Sequence, residues 1–167
     1  MLLQYFFKKE NNEKIYSDNI YINIINQSKD ILNNNDYFTN KDYKSSFEII
    51  SIIIIFYLKS IKKVKIKNYN KINENIIKNF INDLDKSLRE NGIGDMSIGK
   101  YVKSYVKKFY HRLSKLDKIL DDLNLEDEFI DYLDNLKIIK VDKLQLAYLT
   151  FVKIYKEIHK TITIEKN

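Results

Sequence analysis

The sequence of 167 residues has no cysteine, no proline and only three glycines. Without cysteine it can form no disulfide, thiolate metal site or thiol nucleophile. The longest uncharged apolar run, IISIIIIFYL, is ten residues, whereas a membrane-spanning helix needs about 20, so we predict a buried helix there. The first residues, MLLQYFFKKENNEK, lack a basic region and a small-residue cleavage site and do not predict a secretory signal.

The overall composition favours a soluble globular protein. Hydrophobic residues make up 44% of the chain and charged residues 31%, which argues against disorder. The length suits one domain, 1–167, with a core of ordinary size. The net charge of +6 is compatible with a nucleic-acid, ribosomal or anionic-membrane partner, or equally with a plain solvated surface rich in lysine.

Apolar residues recur at helical spacing along most of the chain. SDNIYINIINQSKDIL predicts a first helix that Ser17 or Asp18 caps, followed by the polar connector NNNDYFTNKD. SSFEIISIIIIFYLKSIKK is apolar nearly all round, which favours a central helix over a buried strand. Residues 62–71 then form either an exposed connector or a short edge strand.

The second half of the chain continues the helical pattern. INENIIKNFINDLDKSLREN predicts an amphipathic helix that leads directly into the glycines, and a last helix runs from about Asp142 to Thr161. No repeat or linker divides the chain. We therefore predict an all-α fold, a single-domain compact helical bundle of about five to six helices.

All three glycines lie in NGIGDMSIGK, residues 91–100. Gly94-x-x-x-x-Gly99-Lys100 has the spacing of a phosphate-binding loop, but a helix precedes it and Tyr101 stands where that motif has Ser or Thr. We therefore predict a structural hinge between two helices, formed by the residues listed here: Gly92, Gly94, Asp95 and Gly99. Gly92 would follow a helix end in the left-handed conformation, Gly94 would let the chain reverse, and Asp95 or Ser97 would cap the next helix. Gly99 would permit close approach of a neighbouring element.

No pattern of catalytic or metal-ligating residues is visible. Asp83 and Asp85 point about 200° apart on a helix and cannot hold one metal together. His111 and His159 are the only histidines, fewer than the three or four ligands of a typical zinc site. We therefore predict no metal, no cofactor and a binding protein rather than an enzyme, with a phosphate-using enzyme as the weakest alternative.

The helix after the glycines has one apolar and one basic side. The apolar stripe includes Tyr105 and Phe109, which favours packing over stacking on nucleic-acid bases. The opposite side carries basic residues that only Asp117 opposes: Lys100, Lys103, Lys107, Lys108, His111, Lys115 and Lys118. Seven acids with no base among them follow: Asp121, Asp122, Glu126, Asp127, Glu128, Asp131 and Asp134.

Residues 83–112, DLDKSLRENGIGDMSIGKYVKSYVKKFYHR, resemble the signature of the ubiquinol–cytochrome c chaperone family. That signature runs roughly D-x-D-x-x-L-R-E-x-G-V-G-D-x-x-V-x-K-x-x-K, then F-Y-G-R. Isoleucines replace its valines, and His111 replaces the glycine before Arg112. IYINIINQSKD, SSFEIISIIIIFYLKSIKK and LQLAYLTFVKIYKEI resemble, more weakly, the first, second and closing helices of the family.

The resemblance implies a non-enzymatic assembly chaperone that binds newly made cytochrome b during biogenesis of ubiquinol–cytochrome c reductase, respiratory complex III. It implies association with the ribosome and peripheral contact with the inner membrane, and no DNA partner. The implied location is the cytoplasm for a bacterial member, at the inner membrane where it makes that contact, or the mitochondrial matrix for an organellar one. The alternative is a basic helical ribosome- or RNA-binding module without a membrane-protein client.

One surface is predicted to bind the partner. The basic side of the helix after the glycines should dock ribosomal RNA, anionic lipid or an acidic segment of the client, through these residues: Lys100, Lys103, Lys107, Lys108, Arg112 and Tyr110. The alternative is that the seven acids fold back across these lysines and neutralise them within the molecule.

Overall fold

The structure is a computed structural model that describes residues 2–122 and 125–166, with side chains from residue 12 onward. Met1 and Asn167, the ends of the predicted domain, and Leu123 and Asn124 lie outside these residues. The described chain forms six α-helices and one short 3-10 helix, which confirms the predicted all-α fold. The α-helices are α1 (Leu2–Asn34), α2 (Tyr43–Val64), α3 (Tyr69–Glu90), α4 (Asp95–Ile119), α5 (Glu126–Leu136) and α6 (Leu144–Lys166), with the 3-10 turn at Val141–Lys143.

Helix α2 is the centre of the bundle. It packs against α1, α3, α4 and α6, and every residue from 51 to 61 is buried. This confirms that the isoleucine-rich stretch is a central helix and not a strand. An apolar side chain at nearly every position leaves no polar face for water, so such a helix is stable only when it is packed on all sides.

Several helix boundaries differ from the prediction, among them the end of α6, which lies at Lys166 and not near Thr161. Helix α1 begins well before Ser17, so neither Ser17 nor Asp18 caps it. The buried Ser17 hydroxyl instead donates to the carbonyl of Glu13 one turn earlier, at 2.7 Å, an internal bond that serine commonly makes within a helix. The lysine-rich segment 62–71 is not a strand: α2 continues to Val64, and α3 begins at Tyr69 after a short turn.

The connector before α2 is less polar than predicted. Tyr37 and Phe38 within it are buried, and Phe38 forms an isolated antiparallel bridge with Ile139. The backbone N–H of Thr39 donates to the carbonyl of Ile138 at 2.8 Å. This short pairing ties the start of α2 to the segment between α5 and α6. Asp42 then caps α2 by accepting from the N–H of Ser45 at 2.9 Å.

Candidate functional site

The glycine cluster is the tight turn between α3 and α4. Gly92 has φ +89°, a conformation that L-residues rarely adopt, so the prediction for Gly92 is confirmed. Gly94 has ordinary extended angles and is itself the N-cap of α4, without a side-chain capping bond. The prediction that Asp95 or Ser97 caps this helix is therefore wrong, because α4 begins at Asp95 and both residues lie within its first turn. A Cβ at Gly99 would meet no atom within 4 Å, so Gly99 permits no close approach either.

An arginine joins the two helices across this turn. The Arg89 side chain on α3 donates from Nε to Asp85 Oδ2 at 2.6 Å and also pairs with Asp95 on α4. The hydrogen bonds that Arg89 donates to Asp85 and Asp95 raise the pKa of its guanidinium further. Asp85, Arg89 and Asp95 all lie in the segment that resembles the family signature. The contact between them is exposed and joins the two helices across the turn.

The first half of α4 carries a free basic surface, which we call the α4 lysine face: Lys100, Lys103 and Lys107. All three side chains are exposed, and none makes an ion pair or hydrogen bond with the described part of the chain. The alternative was that the seven acids that follow α4 neutralise these lysines. No such contact occurs within the described residues. Tyr110 is 47% exposed beside them, with its ring 5.5 Å from that of the buried Phe109.

Two cations in the second half of α4 are used differently, whereas Lys115 and Lys118 there are exposed like the α4 lysine face. Glu48 on α2 is fully buried and accepts a salt bridge from Lys108 at 2.8 Å and two hydrogen bonds from Arg112 at 3.0 and 3.1 Å. Lys108 and Arg112, both predicted to bind a partner, are thus drawn inward onto α2. The Lys108 ammonium also lies 5.0 Å from the centre of the Phe47 ring. Burial raises the pKa of the neighbouring Tyr132. The charge of Arg112 acts to lower this pKa, and that of Glu48 acts to raise it.

The C-terminus of α4 is held by two lysines from α2. Lys59, only 6% exposed, lies 2.8 Å from Asp117 Oδ1 and 2.7 Å from Asp121 Oδ1 and also donates to the Asp117 carbonyl. Lys63 donates to the carbonyl of Leu120 at 2.9 Å. Cations at this position satisfy the last helical carbonyls and complement the helix dipole. Burial alone would lower the pKa of Lys59, but the hydrogen bonds that it donates to Asp117 and Asp121 outweigh burial and raise the pKa.

An apolar cleft of about 340 Å³ opens between α1, α2 and α3. Its apolar walls include Ile25, Leu32, Phe47, Phe80 and Leu84. Two pairs of polar groups at its lining bond to each other: Tyr21 OH donates to Asp83 Oδ2 at 2.9 Å, and Tyr43 OH lies 3.0 Å from Ser87 Oγ.

The cleft and α4 share a common wall. Phe47 lines the cleft on one side, and its ring meets Tyr105 of α4 at 4.9 Å on the other. This edge-to-face contact confirms the predicted packing role of Tyr105. The buried Phe109 packs likewise, with its ring 5.1 Å from that of Phe80. A ligand in the cleft would therefore touch the same aromatic group that positions α4.

Sequence reasoning missed Glu48 and Lys59 as the anchors of α4. Both bound the uncharged run of α2, and this was the available signal. A charged side chain next to a stretch that is apolar all round is drawn into the interior, where it needs a charged partner. The partners, about 60 positions away in sequence, carry no local mark that identifies them.

Neither a metal site nor a spanning helix occurs in the described residues. No group of three His, Asp or Glu side chains within 2–122 and 125–166 is placed to hold a metal ion. In the same residues, no helix combines the length and the apolar character required to cross a bilayer. His111 is exposed on α4, and His159 is half-buried on α6.

These features define a class: a helical bundle with an apolar cleft and a separate free basic surface, a combination suited to binding another macromolecule. The chain belongs to the ubiquinol-cytochrome C chaperone family, whose model matches residues 36–134. The matched range contains α2, α3, α4 and most of α5, and so it includes the glycine turn, the anchors of α4 and the α4 lysine face.

A solved structure has the same fold. The chain is similar to the Cbp3 homolog from Brucella abortus, with a TM-score of 0.74 and 24% sequence identity over 95% of this chain and 88% of that chain. Identity at this level shows a common fold. A comparison with curated proteins gives no match.

Proposed function

We propose that this protein is a non-enzymatic assembly chaperone that binds newly made cytochrome b during biogenesis of ubiquinol–cytochrome c reductase. The observation that carries the proposal is the family match over 36–134, because that range holds both the α4 lysine face and most of the residues that line the cleft. Membership supports a role in complex III assembly, and the choice of cytochrome b as client is our own step.

The two surfaces suit two parts of an unassembled membrane protein. The cleft is at the small end of the range for ligand pockets and would receive one or two apolar anchor side chains of the client. Anchors that fill a preformed pocket provide much of the affinity of typical protein interfaces. The α4 lysine face would bind an acidic segment of the client, and charge complementarity of this kind increases association rates and selects partners.

Lys108 and Arg112 take a supporting role in this proposal. Their bonds to Glu48 orient α4, and Lys100, Lys103 and Lys107 stay available to a partner. Tyr110, half exposed at the end of this row, would add apolar contact area and a hydroxyl group, as tyrosine commonly does at interfaces.

The second candidate is a ribosome- or RNA-binding module without a membrane-protein client. The unpaired Lys100, Lys103 and Lys107 favour it, because phosphate contacts need accessible cations and little else. The two functions differ in salt dependence. Binding dominated by phosphates weakens steeply with salt, whereas binding anchored in an apolar cleft retains most of its affinity.

Crosslinked pulldown from native membranes tests the proposed function. The wild-type chain is expected to recover cytochrome b, and a Leu84→Glu variant, which places a charge in the cleft wall, is expected to recover much less. An Asn82→Glu variant adds the same charge at an exposed site on α3 and serves as the control. Recovery of ribosomes without cytochrome b by the wild-type protein would favour the second candidate.

We also propose peripheral contact with the inner membrane, the place where such a client is inserted. A chaperone held at the bilayer surface would meet cytochrome b as it emerges, with no helix of its own crossing the bilayer.

A further inference from the structure

The outer face of α6 combines exposed aliphatic residues with lysines. At 3.6 residues per turn, six exposed side chains fall within an arc of about 80°: Leu146, Leu149, Lys153, Lys156, Lys160 and Ile164. We call this set the α6 ridge. Leu146 is 49% exposed, Leu149 56% and Ile164 64%. From Leu146 to Ile164 the ridge is about 27 Å long at 1.5 Å per residue.

The residues of the ridge do not form the side of α6 that packs against the core. The core side of α6 is formed by the buried residues Ala147, Phe151, Tyr155, Ile158 and Ile162, which lie roughly opposite the ridge at 100° per residue. An exposed helix face of a globular protein normally carries polar residues. Here three large aliphatic side chains interrupt it, and Val141, just before α6, adds a fourth at 78% exposure.

The charges on the ridge are almost all positive. Lys156 and Lys160 make no ion pair within the described residues, and Lys153 meets Glu157 only at the limit of 4.0 Å. A shallow depression lined by Leu149, three lysines and one acid, Glu157, places apolar surface and ammonium groups side by side. An anionic surface with an apolar interior beneath it would satisfy both components.

We infer that the α6 ridge is the surface by which the protein lies on an anionic lipid bilayer. Leu146, Leu149 and Ile164 would enter the boundary between headgroups and acyl chains, and Lys153, Lys156 and Lys160 would contact lipid phosphates. The inference deepens the membrane-contact part of the proposed function and assigns it to a surface distinct from the α4 lysine face. The helix lies along the bilayer in this arrangement and does not cross it.

The aliphatic residues favour a bilayer over RNA. RNA would use the lysines and would gain from aromatic side chains that stack on bases, but the ridge has no aromatic residue. An RNA partner would leave the leucines and the isoleucine of the ridge in water. Anionic lipid uses both groups, and each lysine near such a surface contributes about fivefold in affinity at low salt.

Vesicle sedimentation with the full chain tests the inference. The vesicles contain phosphatidylcholine alone or phosphatidylcholine with phosphatidylglycerol. We compare wild type with Leu146→Gln/Leu149→Gln and with Lys153→Gln/Lys156→Gln/Lys160→Gln, all at exposed positions where folding should be retained. The matched control is Lys100→Gln/Lys103→Gln/Lys107→Gln, which removes the same charge from the α4 lysine face.

The expected result is wild-type binding to phosphatidylglycerol vesicles only, a loss of at least about tenfold in both α6 variants and a much smaller loss in the α4 control. Equal losses in the α4 and α6 lysine variants, with no effect of the leucine substitutions, would overturn the assignment and indicate nonspecific attraction by net charge. RNA binding of the same variants is the second readout. If the α6 lysine variant, and no other variant, loses RNA binding, the membrane assignment is overturned in favour of RNA.

The result also separates this inference from the proposed function. If wild type binds neither vesicle but still recovers cytochrome b in the pulldown, the membrane surface is wrong and the chaperone function stands. If the α6 ridge binds vesicles and cytochrome b is not recovered, the client assignment fails and the membrane surface stands.

Discussion

The two halves of α4 contain similar cations in different settings. In the second half, Lys108 and Arg112 are drawn onto the buried Glu48, and Lys59 and Lys63 of α2 hold the helix end, while Lys115 and Lys118 face solvent. In the first half, Lys100, Lys103 and Lys107 face solvent without a partner in the described chain. The comparison teaches that the number of lysines on a helix does not predict their role. Their role depends on whether a buried acid lies within reach.

Removal of Arg112 should have the largest effect on stability. In Arg112→Met, Glu48 keeps only Lys108 as a partner, and a buried carboxylate with incomplete pairing costs about 3 kcal/mol. Urea unfolding measures the loss. Lys107→Met removes an unpaired cation from the same helix and should change stability by less than about 0.5 kcal/mol. Similar losses in both variants would mean that the two halves of α4 do not differ as described.

Lys59→Met should have the second largest effect. The variant loses the hydrogen bonds to Asp117 and Asp121 and to the helix end, and charged hydrogen bonds of this kind contribute about 2 kcal/mol together once solvent exposure of the acids is considered. Thermal unfolding is the measurement, with the exposed Lys44→Met on the same helix as control. An unchanged melting temperature for Lys59→Met would show that Lys59 does not hold the end of α4.

Gly92→Val tests the turn that positions the α4 lysine face. A β-branched residue at φ +89° should destabilise the fold by about 1 kcal/mol or more. Gly99→Ala is the control: it lies inside α4 with open space around its Cα and should be neutral or stabilising, by up to about 1 kcal/mol. The prediction fails if Gly92→Val melts like wild type.

The smallest expected effect is the acid dependence of the Lys59–Asp121 contact. The hydrogen bond from Lys59 lowers the pKa of the Asp121 carboxyl. A lowered folded pKa contributes stability above the unfolded value of about 3.9, and this contribution is lost as the pH falls through the folded pKa. Asp121→Asn should therefore show a slightly smaller fall in melting temperature below about pH 4 than wild type. The unpaired, exposed Asp131→Asn should keep the wild-type acid dependence.

The sequence predicts the helices, the left-handed Gly92 and the family correctly, because each depends on local or periodic information. Apolar periodicity defines a helix face, and a glycine after a helix end marks a left-handed residue. It misassigned Lys108 and Arg112 to the same free surface as Lys103. At 100° per residue Lys108 lies about 140° and Arg112 about 180° from Lys103 around the helix, but this spacing gives no sign that Glu48, about 60 residues earlier, lies against their side.

The extent of α1 was missed for a related reason. Ser17 and Asp18 are good capping residues, and their position before an apolar run predicted a helix start. The pattern does not show that the helix continues upstream, where Ser17 bonds to Glu13. The same ambiguity applies to Asp18, which accepts a hydrogen bond from Asn79 on α3 at 2.8 Å and so serves helix packing.

The central claim is that the α4 lysine face docks a partner, while Lys108 and Arg112 of the same helix are structural. The most direct measurement combines Lys100→Glu/Lys103→Glu/Lys107→Glu with thermal unfolding, crosslinked recovery of cytochrome b and sedimentation with ribosomes. The account predicts a nearly unchanged melting temperature, since these side chains lack partners in the described chain, together with a large loss of partner binding. A large fall in stability with cytochrome b and ribosome binding intact would contradict it and would mean that these lysines serve the fold.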